Sequence, residues 1–152
     1  VNALFSNNLI STKNSVAVGV QALMNSSASN NTAIGVEALY NNTTGNYNTA
    51  LGYQSLVSNI IGSNNIAMGY NAGYYDTSSN KLYIAADSNK TIIYGDMSTG
   101  QVLIGKPQPN GYSFKGSRKL NVIGGILADS MRVALSNRWA DYVFEENYNL
   151  KP

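Results

Sequence analysis

Asn31-Thr32-Ala33-Ile34-Gly35-Val36-Glu37-Ala38-Leu39 is followed by Asn48-Thr49-Ala50-Leu51-Gly52-Tyr53-Gln54-Ser55-Leu56, and these two lines decide the fold. The same unit precedes them as Ser15-Val16-Ala17-Val18-Gly19-Val20-Gln21-Ala22-Leu23 and follows them as Asn65-Ile66-Ala67-Met68-Gly69-Tyr70-Asn71-Ala72-Gly73. Ala17, Ala33, Ala50 and Ala67 therefore recur at spacings of 16, 17 and 17 residues. Repetition at so short a period marks a stacked architecture. Val1-Asn2-Ala3-Leu4 matches the tail of the unit, so the sequence is expected to open inside a repeat, as a mature product or a segment of something longer.

Within each unit small residues alternate with larger apolar ones. Ala17 and Gly19 fall on one face and Val18 and Val20 on the other, which is the strand period. A unit of this length has room for two short strands and two turns. The connecting segments 41–46 and 58–64 are rich in Asn, Gly, Ser and Thr, which accept turn and left-handed geometry. Each unit thus reads as one coil of a parallel β-solenoid, with equivalent residues stacked ~4.8 Å apart. A coil with only about four apolar side chains cannot offset its own ordering entropy, so it must lean on neighbouring coils and, in this reading, on another chain. The column Ala17, Ala33, Ala50 and Ala67, with Gly19, Gly35, Gly52 and Gly69, is where a second backbone is expected to approach. The alternative is that the same column lines the tight interior of a monomeric solenoid.

Composition removes whole classes of chemistry. The 152 residues include no Cys and no His, so a thiolate nucleophile, a sulfur-built metal site and a histidine general base are all excluded. Only 12% of residues are charged, whereas 22 Asn and 14 Gly supply much of the chain. A net charge of +2 is too small for phosphate neutralisation, which argues against nucleic acid as a partner. No apolar run approaches the length of a membrane span, and no basic-then-apolar leader is visible. No cofactor is expected.

The repeat signature fades after Gly73, and fifteen of the eighteen charged residues lie beyond residue 80. This places a boundary at 74–80 and predicts strands at 81–85, 91–95 and 101–105, with turns at 87–90 and 96–100. Residues 106–118, with Pro107, Pro109, Gly111 and Gly116, read as a linker, and 119–126 as a further strand. The segment 126–144 is contested. Leu127, Met131, Leu135, Trp139 and Val143 have helical spacing, but Met131, Val133 and Leu135 also alternate, and strand is favoured up to Leu135. The resulting division is a β-roll at 1–73, a β-rich transition at 74–118, and a collar and tail at 119–152.

Candidate chemistry is sparse. Glu145 and Glu146 are adjacent and would point to opposite faces of a strand, unlike a facing carboxylate pair. A glycan depolymerase would need a carboxylate cluster in an inter-chain groove, for which Asp76, Asp87 and Asp96 are the candidates. The repeats lack the Asp of calcium-binding solenoid units. Asn31, Asn48 and Asn65, with Thr32 and Thr49, form a polar ladder that either presents a surface to ice or polysaccharide or closes the turns by hydrogen bonding, and the second is favoured. Tyr53 stacked above Tyr70, and the pair Tyr74-Tyr75, are candidate receptor contacts because a phenol ring combines a broad apolar face with a polar handle.

The unit Asn-Thr-Ala-Ile-Gly-x-x-Ala-Leu with Asn/Gly-rich turns resembles the head repeats of YadA-like trimeric autotransporter adhesins, and is also similar to repeats of bacterial and phage tail fibres. Ile93–Asp96, Val102–Gly105 and Lys119–Gly125 resemble the collar of tail-fibre-like proteins, and Trp139–Glu146 the segment leading to their terminal region. The resemblance implies three chains wound as left-handed parallel β-rolls, in a homotrimeric fibre followed by a β-rich collar. It implies a non-enzymatic, extracellular role: a structural and adhesive segment on a cell surface or a phage or tail-like particle. Its partners would be a cell-surface glycan or protein receptor and, on a particle, baseplate or sheath proteins. A monomeric carbohydrate- or ice-binding solenoid is the alternative.

Overall fold

The computed structural model describes residues 14–105, 114, 117, 119–124, 126 and 127. The described residues are all-β with no helix, and their strands stack as a β-solenoid of about six turns. Eight strands follow in chain order: β1 (Val16–Val18), β2 (Thr32–Ile34), β3 (Thr49–Leu51), β4 (Ile66–Met68), β5 (Lys81–Ala85), β6 (Thr91–Asp96), β7 (Gln101–Ile104) and β8 (Leu120–Val122). They form one sheet in sequence order. β1 to β5 pair in parallel, β5 to β7 form an antiparallel meander, and β7 and β8 are parallel again. The expected linker and the contested 126–144 segment lie largely outside the described residues, as does Trp139–Glu146.

Each of the first four coils holds one strand of three residues, where two had been expected. The return leg is turn, because the backbone there takes repeated left-handed conformations. Gln21, Glu37, Gln54 and Asn71 have φ between 50° and 59°, and Leu23, Leu39 and Leu56 between 51° and 52°. Such geometry costs a side-chain-bearing residue roughly 1–2 kcal/mol. It is offset at the leucines by complete burial: Leu23, Leu39 and Leu56 stack as a column inside the coils beside Ala22, Ala38 and Ser55.

The alanines sit opposite them. Register aligns Ala17, Ala33, Ala50, Ala67, Tyr83, Tyr94 and Leu103 in one inward column, and Ala33, Ala50 and Ala67 are fully enclosed by their own chain. This corrects the expected place of the alanines between chains: strand alternation turns the middle residue of each three-residue strand inward, so the methyl column fills the solenoid's own interior. The glycine column also acts within the chain. A Cβ on Gly52 would lie 2.4 Å from the carbonyl oxygen of Gly69, and one on Gly35 would lie 2.3 Å from that of Gly52. Successive coils touch backbone to backbone at this corner.

A buried polar column fixes the axial register. The Oδ1 of Asn31 accepts the backbone N–H of Asn48 at 2.8 Å, and the Oδ1 of Asn48 accepts that of Asn65 at 3.0 Å. Each Nδ2 reaches across its own coil to a turn carbonyl: Asn31 to Gly45, Asn48 to Gly62 and Asn65 to Ser78, all at 2.8 Å. The column ends where the Oδ1 of Asn65 accepts the N–H of Lys81, whose ammonium pairs with Asp96 at 2.9 Å. The ladder expected from Asn31, Asn48 and Asn65 is therefore internal, and it closes turns.

Coil length follows from one corner residue. In the 17-residue coils Asn42 and Asn59 donate Nδ2 to the carbonyls of Gly45 and Gly62, three residues on. In the 16-residue coils Ser26 and Asp76 stand there, and each accepts the N–H two residues on. An amide that donates to the carbonyl three residues on closes a wider turn, and an oxygen that accepts the N–H two residues on closes a tighter one.

The parallel stack runs one coil past the sequence signature. β5 still pairs in parallel with β4, and the chain reverses only at 86–90. Two substitutions in the repeat compensate there: Gly73 stands where the buried leucine is due, and Tyr83 stands where the alanine is due. A Cβ on Gly73 would meet the rings and methyls that fill the space, at 2.8 Å from Leu56 and 3.0 Å from Tyr83.

Two outcomes test this packing. Gly52→Ala is expected to lower stability by ~3 kcal/mol or more, since backbone must move to admit the methyl; an unchanged urea midpoint would show that the coils are not in contact at that corner. Asn48→Ala leaves the buried N–H of Asn65 without its partner and the carbonyl of Gly62 with Asn59 alone, and a loss of ~1–3 kcal/mol is expected from the same measurement.

Candidate interchain face and tyrosine cleft

Because the middle residue of each short strand points inward, its neighbours point out, and they line up. Register places Val16, Thr32, Thr49, Ile66 and Leu82 in one outward column, and Val18, Ile34, Leu51, Met68 and Ile84 in a second. Val20, Val36, Tyr53 and Tyr70 continue each coil just past its glycine. Nine of these side chains (Val16, Val18, Val20, Ile34, Val36, Leu51, Tyr53, Ile66 and Tyr70) are 36–55% exposed. No column residue carries a charge. Tyr53 and Tyr70 stack as expected, with ring centroids 5.3 Å apart and planes within 9°.

The outward Val, Ile and Leu residues were not singled out as site residues in the sequence, although the alternation that buries the alanines also sends these side chains outward. Tyr74 and Tyr75 lie elsewhere. They meet edge to face at 4.6 Å and flank a cleft of about 440 Å³ lined by Gly73–Ser78, Tyr83, Ser88 and Tyr94. The four candidate tyrosines thus separate into two places, a stacked pair on the sheet face and an edge-to-face pair at the cleft.

The cleft exists because the chain reverses above the fourth coil. No further parallel coil covers the turn at 74–78, and the interior is closed by rings instead. Tyr83 packs on Tyr94 at 5.3 Å, and Tyr94 on Phe114 at 5.6 Å. Asp76 is anchored at its wall: Oδ2 accepts the Tyr83 hydroxyl, and Oδ1 accepts the Ser78 amide at 2.6 Å and the Ser78 hydroxyl.

Asp76, Asp87 and Asp96 do not converge. Asp87 accepts the Asn89 N–H at 2.7 Å and faces Lys90, and these contacts hold its carboxyl below the ordinary value. Asp96 is held down to about 2 by the Ser98 hydroxyl first and by Lys81 second. Among the described residues no group of three or more acidic side chains could hold a metal ion, and no helix is long and apolar enough to cross a membrane. No family model, curated protein or solved structure matches this chain.

The low value of Asp96 gives a signed expectation. Between about pH 4 and pH 2 the unfolded chain binds the proton that folded Asp96 refuses, so stability falls as pH falls through that window. The stability gap between the native chain and Asp96→Asn, read from urea midpoints, is expected to be full at pH 5 and to shrink by pH 2.

Proposed function

We propose that this chain is a structural and adhesive fibre segment, of the tail-fibre or trimeric-adhesin kind, that projects a receptor-binding surface from a particle or a cell. The observation that carries this reading is the bare outer face of the parallel sheet. Parallel sheets ordinarily have both faces covered, and an apolar patch of this extent is uncommon on a monomer. The side chains stand in straight columns at the ladder spacing, so another copy of the chain presents the same columns at the same intervals. Two copies set side by side meet on every coil, and the contact lengthens with each coil added.

Three copies per fibre follow from the resemblance to YadA-like heads. Packing between chains then uses Val18, Ile34 and Leu51 with the Tyr53–Tyr70 stack, in place of the alanines. The assembled fibre is extracellular and has no catalytic role. It meets a glycan or protein receptor and, on a particle, joins baseplate or sheath proteins. Low charge suits such a rod, since its surface hydration changes little with salt. One observation favours the monomeric carbohydrate- or ice-binding alternative: the alanine, leucine and asparagine columns are completed within a single chain.

Sedimentation equilibrium separates the two. The 152-residue chain is expected to run at about three times 16.3 kDa, and Val18→Asp combined with Leu51→Asp to run at 16.3 kDa with an unchanged β circular-dichroism spectrum. A native chain that stays at 16.3 kDa at micromolar concentration would overturn the trimer and leave the monomeric solenoid.

A further inference from the structure

We infer that the cleft at residues 73–78 is a saccharide site that takes a neutral hexopyranose unit. The inference rests on the fibre reading for its purpose, a receptor contact, but its geometry is complete in one chain. Two kinds of surface meet there. Tyr75 is 74% exposed and braced edge-on by Tyr74, so an open ring face is held in place without being buried. Beside it stands Asp76, whose orientation is set by three donors, the Tyr83 hydroxyl and the Ser78 amide and hydroxyl. A carboxylate offers about four acceptor positions, so an acceptor position remains for an incoming hydroxyl.

A pyranose ring matches this pair. Its axial C–H face lies on a phenol ring, and hydroxyls at its rim donate to a fixed carboxylate, with Thr77 and Ser88 as further hydroxyl partners on the wall. A fixed acceptor discriminates more sharply than a mobile one, because a ligand lacking the hydroxyl leaves it unpaired. Charge selects the class. The lining contains one carboxylate and neither Lys nor Arg, so an acidic sugar brings a second negative charge with nothing to receive it. A neutral sugar brings none.

Position makes the site compatible with assembly. Tyr83 and Tyr94 project to the inner side of β5 and β6, whereas Leu82 and Ile84 project outward, so the cleft lies across the sheet from the face proposed to join chains. Each copy in a fibre would carry its own cleft, and several weak sites on one rod act with avidity.

The test uses the full chain with cellotriose, chitotriose and mannotriose as neutral probes and trigalacturonate as the acidic one, read by saturation-transfer NMR and tyrosine fluorescence. At least one neutral trisaccharide is expected to bind, with trigalacturonate at least tenfold weaker. Tyr75→Ala, at an exposed position, is expected to weaken binding at least tenfold with an unchanged melting curve, and Asp76→Asn by a similar factor. Tyr47→Ala, an exposed tyrosine away from the cleft, is expected to leave binding as it was. No binding by any neutral probe, binding that survives Tyr75→Ala, or equal binding of trigalacturonate overturns the assignment. Sedimentation of the same samples keeps the outcomes apart: the Val18→Asp, Leu51→Asp chain is expected to lose mass and still bind the sugar, so failure of the trimer and failure of the site are separate results.

Discussion

Burying an amide inside a coil of 16 or 17 residues is costly unless its polar atoms find partners, and this cost organises the molecule. Asn31, Asn48 and Asn65 meet it in two directions at once, donating across their own coil and accepting from the next. An asparagine that slipped by one residue would lose both bonds and place an unpaired amide in the interior. Register therefore does not depend on strand pairing alone, which over three residues would be weak. With the coils locked at one height, the glycine corners can touch backbone to backbone, and the alanine and leucine columns fill the narrow space that remains.

The outer apolar face and the tyrosine cleft follow from that lock in different ways. The outer face is a product of repetition: while the register holds, each coil adds the same two or three apolar side chains to the same columns. The cleft is a product of its interruption. A leucine becomes Gly73, an alanine becomes Tyr83, and the backbone turns back on itself instead of beginning another parallel coil. The rings of Tyr83 and Tyr94 then close the interior sideways, and the turn carrying Tyr74, Tyr75 and Asp76 is left uncovered.

Much of this is written openly in the sequence. The period of Ala17, Ala33, Ala50 and Ala67 is the period of the coils, and the strands expected at 81–85, 91–95 and 101–105 occur within a residue of those bounds. The second strand per coil was misplaced because left-handed geometry at Gln21, Glu37 and Leu39 has no compositional mark: glutamine, glutamate and leucine are ordinary in extended chain. The alanines looked like an interchain contact because smallness alone does not say which backbone comes near. The repeat signature ends at Gly73 because the next coil carries Tyr83 in place of its alanine, a change that destroys similarity while keeping the position inward. The link between Asp76 and Tyr83 joins residues from a turn and a strand, and no spacing rule connects them.

The corner occupied by Ser26, Asn42, Asn59 and Asp76 sets whether a coil closes in sixteen residues or seventeen, yet the strands on either side remain aligned. Gain or loss of a single codon at that corner, accompanied by the matching side chain, changes the contour length of one loop and nothing downstream. A gene built of such units can drift in length at its corners while the columns on the opposite wall stay true.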